Sequence, residues 1–386
     1  MSQHASSLPS LLSSAWARRL SLGASLLSLT ACADEGTIGG QEAPVVYGDD
    51  DRLDVYEHPS AALRDIAHES IVALIDSGDL TQNGDGTFTR DLTFTLQEAF
   101  DLCDDQRFLE QPTSAFCSGT LVAPDIVVTA GHCIETMADC SGTSFVFDYL
   151  YTADGVLAPL ESDDVYECVD ILARELGGLD YAYLRLDRAV VGHTPAELGV
   201  GIGDTCRNVV DDEAVSVLGF GSGLPLKIDD GGHVRDASTR GTFFFDTSLD
   251  TFGGNSGSGV FNADNEMVGV LSRGARDYVT RTSEDCDVVN ELANSQGGEQ
   301  IGHLLPTLVA YCDNAPSPNA ELCALAATSC PNGSGSGSGS EGSSCSAGAP
   351  GAGGGWTFAL GVMALMGLGL RRARRGGAAN PDEARA

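Results

Sequence analysis

"LDTFGGNSGSGVF", residues 249 to 261, sets Gly253, Gly254, Gly257 and Gly259 around Asn255, Ser256 and Ser258. Glycine loses the most backbone freedom on folding and weakens regular elements. A chain that accepts four of them in so short a stretch needs a backbone conformation or a close approach that other residues forbid. A serine held there has its backbone open on one side, and the amides of Gly254 and Ser256 can point into one space. Such a space stabilises an oxyanion.

A serine hydroxyl is a weak nucleophile at neutral pH. It needs a base to take its proton and a third group to orient that base. Two other stretches supply them. "CSGTLVAPDIVVTAGHC", 117 to 133, offers His132 after an apolar run, and "GLDYAYLRLDRAVVG", 178 to 192, offers Asp180 before one. The candidate catalytic set is His132 as base, Asp180 as its orienter and Ser256 as nucleophile. The order His, Asp, Ser differs from the Ser, Asp, His order of α/β-hydrolases, and Ser256 lacks the glycine two positions on that a nucleophile elbow requires.

Between residues 45 and about 312 the chain is dense in short β-branched runs broken by Gly, Asn and Asp. Examples are "SIVALID", "TFTRDLTFTL", "DIVVTA", "SFVFDYL", "YAYLRL", "AVSVLGFG", "GTFFFDT" and "MVGVLS". This pattern predicts an all-β sandwich or barrel. "NGDG", 83 to 86, predicts a hairpin turn. An EF-hand from Asp79 through Asp85 fails, because Arg90 stands where the bidentate glutamate belongs. No internal repeat is visible in the sequence.

The three catalytic contexts together resemble the chymotrypsin-like, or trypsin-like, serine peptidases over about residues 45 to 310. "TAGHC" resembles their histidine motif, "LDYAYLRLD" their aspartate strand, "GNSGSGV" their serine loop, and "VLGFG" the strand that often precedes it. The resemblance implies two six-stranded β-barrels with the active site between them, peptide or protein substrates, no cofactor, and a Cys117–Cys133 disulfide beside the histidine. Closing a loop of that length stabilises by roughly 3 kcal/mol. "GGNSGS" and "VVYGDDDRLDV", 45 to 55, are similar to the bacterial branch containing the glutamyl endopeptidases. In pancreatic-type members an aspartate before the serine pairs with a freed N-terminal amine. Here Asn255 has no charge to offer, so "TIGGQEA", 37 to 43, is read as a decoy rather than an activation site.

Specificity is also implied by the resemblance. An aspartate six residues before the serine floors the primary pocket of trypsin-like enzymes, so Asp250, with Ser272 and Gly274 on the pocket wall, implies cleavage after Arg or Lys. The glutamyl branch uses a histidine in the strand after the serine, and Leu271, Ser272 and Arg273 provide none.

Asp and Glu number 55 against 21 Lys and Arg, a net charge of -34, which excludes nucleic acid or an anionic membrane surface as the main partner. Hydrophobic content of 42% is ordinary for a globular core. Twelve cysteines point away from the cytosol. Arg18 and Arg19 precede an apolar run, Leu20 to Leu29, as in a secretory signal. Leu29-Thr30-Ala31-Cys32 resembles a bacterial lipobox with Cys32 as the lipidated residue; the alternative is ordinary cleavage just beyond. At the other end a Gly/Ser linker, 331 to 350, leads to an uncharged stretch, Gly351 to Leu370, and then to Arg371, Arg372, Arg374 and Arg375. That layout, with Cys345 before it, resembles a myxobacterial sorting tag; a plain membrane anchor is the alternative. The expected organisation is signal peptide 1–32, leader 33–44, peptidase domain 45–312, a cysteine-containing tail 313–330 tied back by disulfides, linker 331–350 and membrane or sorting segment 351–375. The expected location is the outer membrane or cell surface, or the medium after release. The absence of a C-x-x-C pair argues against a cysteine zinc site. A non-catalytic surface binding protein on the same scaffold is the rival reading.

Overall fold

The structure is a computed structural model that describes residues 46–90, 94–200, 209–238, 243–274, 276–293, 295 and 298–329. The expected signal peptide with Cys32, the leader with "TIGG", the Gly/Ser linker, Cys345 and the C-terminal segment all lie outside these residues. Among the described residues no helix is long and apolar enough to cross a membrane.

Twelve strands close into two antiparallel six-stranded barrels. The first comprises β1 (Ile71–Asp76), β2 (Ala115–Ala123), β3 (Ile126–Thr129), β4 (Thr143–Val146), β5 (Val165–Glu175) and β6 (Tyr181–Leu186), in the cyclic order β5-β6-β3-β2-β1-β4. The second comprises β7 (Ala214–Gly219), β8 (Lys227–Asp236), β9 (Phe244–Thr247), β10 (Gly259–Asn262), β11 (Met267–Arg273) and β12 (Glu299–His303). Its cyclic order, β11-β12-β9-β8-β7-β10, is that of the first barrel shifted by six, and the β7–β8 pairing closes it. The repeat that the sequence hides is therefore present in the topology.

Side-chain alternation explains why these strands read as continuous apolar runs. On β3, Val127 enters the first barrel's interior, whereas Val128 joins a core outside it. On β6, Ala182 and Leu184 point inward, and Tyr181 and Tyr183 point to that outer core. On β7, Val217 fills the second barrel and Leu218 the shared core. Period-two strands buried on both faces lose the polar half of their alternation. The outer core collects residues of both barrels, Tyr183, Leu218, Phe220 and Val270 among them.

Three departures from the sequence reading are helical. In "TFTRDLTFTL" only Thr87–Arg90 is described as a strand; Leu96–Phe100 is a helical turn, started by a Thr95–Glu98 capping box. Helix α1 (Ala61–Glu69) precedes β1. The expected boundary at 312 falls inside α2 (Leu304–Asn314), which is followed by α3 (Ala320–Ser329). Leu304, Leu308 and Tyr311 recur at helical spacing and are buried. Tyr311 stacks on Tyr183 with centroids 4.5 Å apart, so α2 packs back onto the first barrel. Cys312–Cys323 ties α2 to α3, while Cys103–Cys286 and Cys140–Cys168 are also bonded.

Candidate active site

Strands β3 and β6 pair with Thr129 opposite Ala182, so the residues just beyond β3 and just before β6 meet at one end of the barrel. Those residues are His132 and Asp180. His132 Nδ1 lies 2.9 Å from Asp180 Oδ2, and the His132 backbone amide donates to Oδ1 at 3.1 Å. A carboxylate accepts only, so in the neutral ring Nδ1 carries the proton and Nε2 is the basic nitrogen. The Cys117–Cys133 bond fixes the turn that carries His132.

Ser272 donates to Asp180 Oδ2 at 2.6 Å. Burial alone pushes the Asp180 carboxyl up, but the bonds from His132 and Ser272 outweigh it and hold the group below the ordinary aspartate value. Asp180 is 4% exposed, whereas the His132 side chain keeps 39% of its surface open. The orienter is thus sealed and the base accessible.

The serine loop is stitched between both barrels. Ser118 on β2 donates its backbone amide to Ser256 O at 2.9 Å and its hydroxyl to Gly254 O at 2.7 Å. On the other side the Gly257 amide donates to Leu271 O at 2.8 Å. Gly257 has φ +87°, and a Cβ there would meet Thr129 Oγ1 at 2.1 Å, so this contact with the His132 strand admits only glycine. Gly254 has φ +99°, and a Cβ would meet Phe220 O at 2.5 Å. These two positions explain the glycines of the opening stretch. No hydrogen bond joins Ser256 Oγ to His132 Nε2 among the described residues.

The loop's peptide planes decide where its amides point. Gly253 C=O accepts from the Ser222 amide at 2.6 Å, and Asn255 C=O accepts from the Ser258 amide at 2.8 Å. In a trans peptide the N–H faces away from the C=O. The Gly254 and Ser256 N–H groups are therefore turned off those partners, and neither has an acceptor among the described residues. Asn255 is spent inside the loop: Oδ1 accepts from the Phe252 amide at 3.0 Å, and Nδ2 donates to Ser258 Oγ at 3.3 Å.

The expected specificity residues stand differently. Asp250 is not an open pocket floor. Its Oδ1 accepts from the Tyr47 amide at 2.8 Å and its Oδ2 from the Asp51 amide at 3.1 Å, and it is 4% exposed. The carboxylate anchors the N-terminal segment, whose folding over this site no local sequence signal announces. Burial pushes its carboxyl up to about 6. Ser272 turns its hydroxyl to Asp180. Beneath Gly274 lies Glu299, whose Oε2 would be 2.1 Å from a Cβ on that glycine. Glu299 was missed because β12 is remote in sequence. It accepts from Tyr47 Oη at 3.0 Å and from Thr251 Oγ1 at 2.6 Å, and burial pushes its carboxyl up to about 8.

Residues 117–270 match the family model described as "Trypsin-like peptidase domain". No curated protein matches the chain. Similar solved structures include a Glu endopeptidase in complex with MPD, at 17% identity over 70% of this chain and 98% of that one, with a TM-score of 0.39. Vibrio cholerae VesB protease is another, at 14% identity over 70% of this chain and 66% of that one, with a TM-score of 0.40.

Proposed function

We propose that the chain is a serine endopeptidase that hydrolyses peptide bonds through an acyl-enzyme. The observation that carries this reading is the two-point grip of Asp180 on His132, which leaves Nε2 as the ring's basic nitrogen in a turn that lies beside the Ser256 loop. His132 takes the Ser256 proton as the hydroxyl attacks the carbonyl carbon, and later returns it to the leaving amine. The amides of Gly254 and Ser256 hold the negative oxygen of the tetrahedral intermediate. Water then repeats the sequence on the ester. The family match at residues 117–270 supports protein or peptide substrates.

A preference for Arg or Lys through Asp250 is not part of the proposal. Both of its oxygens are engaged, and Glu299 beneath Gly274 is mostly protonated at pH 7. Export through the N-terminal signal, with retention by Cys32 lipidation or the C-terminal segment, completes the reading and rests on sequence alone. A serine-directed phosphonate probe tests the catalytic claim against the binding-protein alternative. Labelling of the wild-type chain that disappears in Ser256→Ala is expected; an unlabelled wild-type chain would leave a binding protein.

A further inference from the structure

At one edge of the first barrel, three segments converge: the end of α1, the two ends of the loop joining β4 to β5, and the stretch that leaves β6. They bring together His68, Asp148 and Asp164, and His193. The His193 ring stacks on Phe147 with centroids 4.3 Å apart, and its side chain is 7% exposed. Its Nδ1 lies 2.7 Å from the His68 carbonyl oxygen. A carbonyl only accepts, so Nδ1 bears a proton and Nε2 is the ring nitrogen left to face its other neighbours.

That nitrogen faces acids. Nε2 stands 3.8 Å from Asp164 Oδ1, and one carboxylate oxygen of Asp148 completes a trio of atoms that all lie within 4.8 Å of one another. Asp164 Oδ2 accepts from the Glu161 amide at 2.8 Å, and Asp148 Oδ1 faces His68 Nδ1 at 2.9 Å. All three residues are therefore held by a neighbour. The 3.8 Å gap is ion-pair distance but beyond hydrogen-bond reach; burial works against a charged ring, but Asp164, the His68 carbonyl and Asp148 outweigh it and hold the imidazole above its ordinary value, so a metal ion bound there displaces a proton. An imidazole whose other nitrogen is fixed by a backbone carbonyl is the arrangement metal-ligating histidines adopt. Ligand bonds of about 2.0–2.2 Å to zinc place ligand atoms about 3.3 Å apart. Small carboxylate rotations close the difference.

Other clusters lack this character. Asp51, Asp229 and Asp250 bring no imidazole, and both oxygens of each buried carboxylate already accept backbone amides. The sulfurs of Cys117 and Cys133 beside His132, and of Cys103 and Cys286 beside Glu284, are consumed in disulfides.

We propose that His193, Asp148 and Asp164 bind one divalent transition-metal ion, with zinc suited to one imidazole and two carboxylates, and that His68 positions Asp148. The ion staples the segment leaving β6 to the β4–β5 loop. The site shares no residue with the His132–Asp180 pair, so it stands or falls independently of peptidase activity.

The test is zinc chloride titrated into the chelator-stripped full-length chain in competition with a chromophoric indicator. One saturable equivalent is expected, together with a raised unfolding temperature. Asp164→Asn keeps an acceptor for the Glu161 amide, and it and Asp148→Asn should each weaken that equivalent at least about 10-fold. His132→Ala should leave it unchanged. Absence of a saturable equivalent, undiminished affinity in both Asn variants, or loss in His132→Ala would overturn the site. Calcium binding as tightly as zinc would overturn the imidazole ligand.

Discussion

At Asp180 two oxygens serve three donors: the His132 amide, the His132 ring and the Ser272 hydroxyl. The carboxylate accordingly sets both the tautomer and the angle of the base. Asp180→Asn should lower kcat for peptide hydrolysis by on the order of 10⁴-fold, because an amide that donates to Nδ1 selects the wrong tautomer. Ser256→Ala should lose at least as much while the unfolding midpoint stays near wild type, and purified Ser256→Ala that still cleaved peptides would remove the nucleophile assignment. Ser272→Ala should act more weakly, since His132 still grips both oxygens. A loss of about 10-fold in kcat with little change in KM is expected, and a change confined to KM would return Ser272 to the substrate pocket. These four positions were legible to different degrees. His132, Asp180 and Ser256 each carry a local context in the chain. The Ser272–Asp180 bond spans the two barrels, and no spacing rule contains it.

At the scale of elements, the strap from Val46 to Asp54 does what the sequence left to a pocket. Val46–Tyr47 pairs in parallel with Glu291–Leu292, Leu53–Asp54 adds to β8, and between them Asp250 takes two backbone amides. Arg52 lies over the Phe252 ring at 3.7 Å to its centroid, so the strap also leans on the serine loop. Asp250→Ala should strand the Tyr47 and Asp51 amides. The Tyr47 amide is buried, and an unpaired buried donor costs about 1–3 kcal/mol, so a clearly lower urea midpoint and faster proteolytic nicking near Tyr47 are expected, with the cleavage preference on a peptide library unchanged. A lost preference for Arg or Lys at unchanged stability would restore Asp250 as a pocket floor. Strands β1, β3, β4, β6, β7, β9 and β11 were readable because their apolar runs are local, whereas β5, β8 and β12, which carry charged residues within them, were not. The helices α2 and α3 were not, since a search tuned to alternation passes over Leu304, Leu308 and Tyr311. The metal cluster escaped for the same reason as the strap: Asp148, Asp164 and His193 come together only through the barrel's closure.

Over the whole molecule the acidic excess does not stop at the surface. Glu299 and Asp250 are buried and Asp277 half-buried around the serine loop, and desolvation is the leading cause that raises them, to about 8, about 6 and about 6. Each grips that loop or the strap: Glu299 through Thr251 and Tyr47, Asp277 through the Gly253 amide, Asp250 through the Tyr47 and Asp51 amides. Their common sign fixes how stability responds to pH. The unfolded chain releases a glutamate proton near pH 4.3, whereas the folded chain holds the Glu299 proton up to about pH 8. Between those values the folded state binds more protons, so stability falls as pH rises, by up to about 1.4 kcal/mol per pH unit for one site. Asp250 and Asp277 add to the slope only up to about pH 6. Asp50 and Asp180 act oppositely, because both are held below the ordinary value, so their contribution is lost in acid. The expected profile of urea midpoint against pH therefore peaks on the acid side of neutrality and declines to about pH 8. From pH 6 to 8 Glu299 shares the decline with Asp229, His68 and His193, which the fold also raises, so Glu299→Gln, which keeps the side chain's shape without a titrating proton, should make that portion shallower and raise stability at pH 8. A wild-type profile already flat from pH 6 to 8, or an equal slope in Glu299→Gln, would show that Glu299 is ionised in its buried setting.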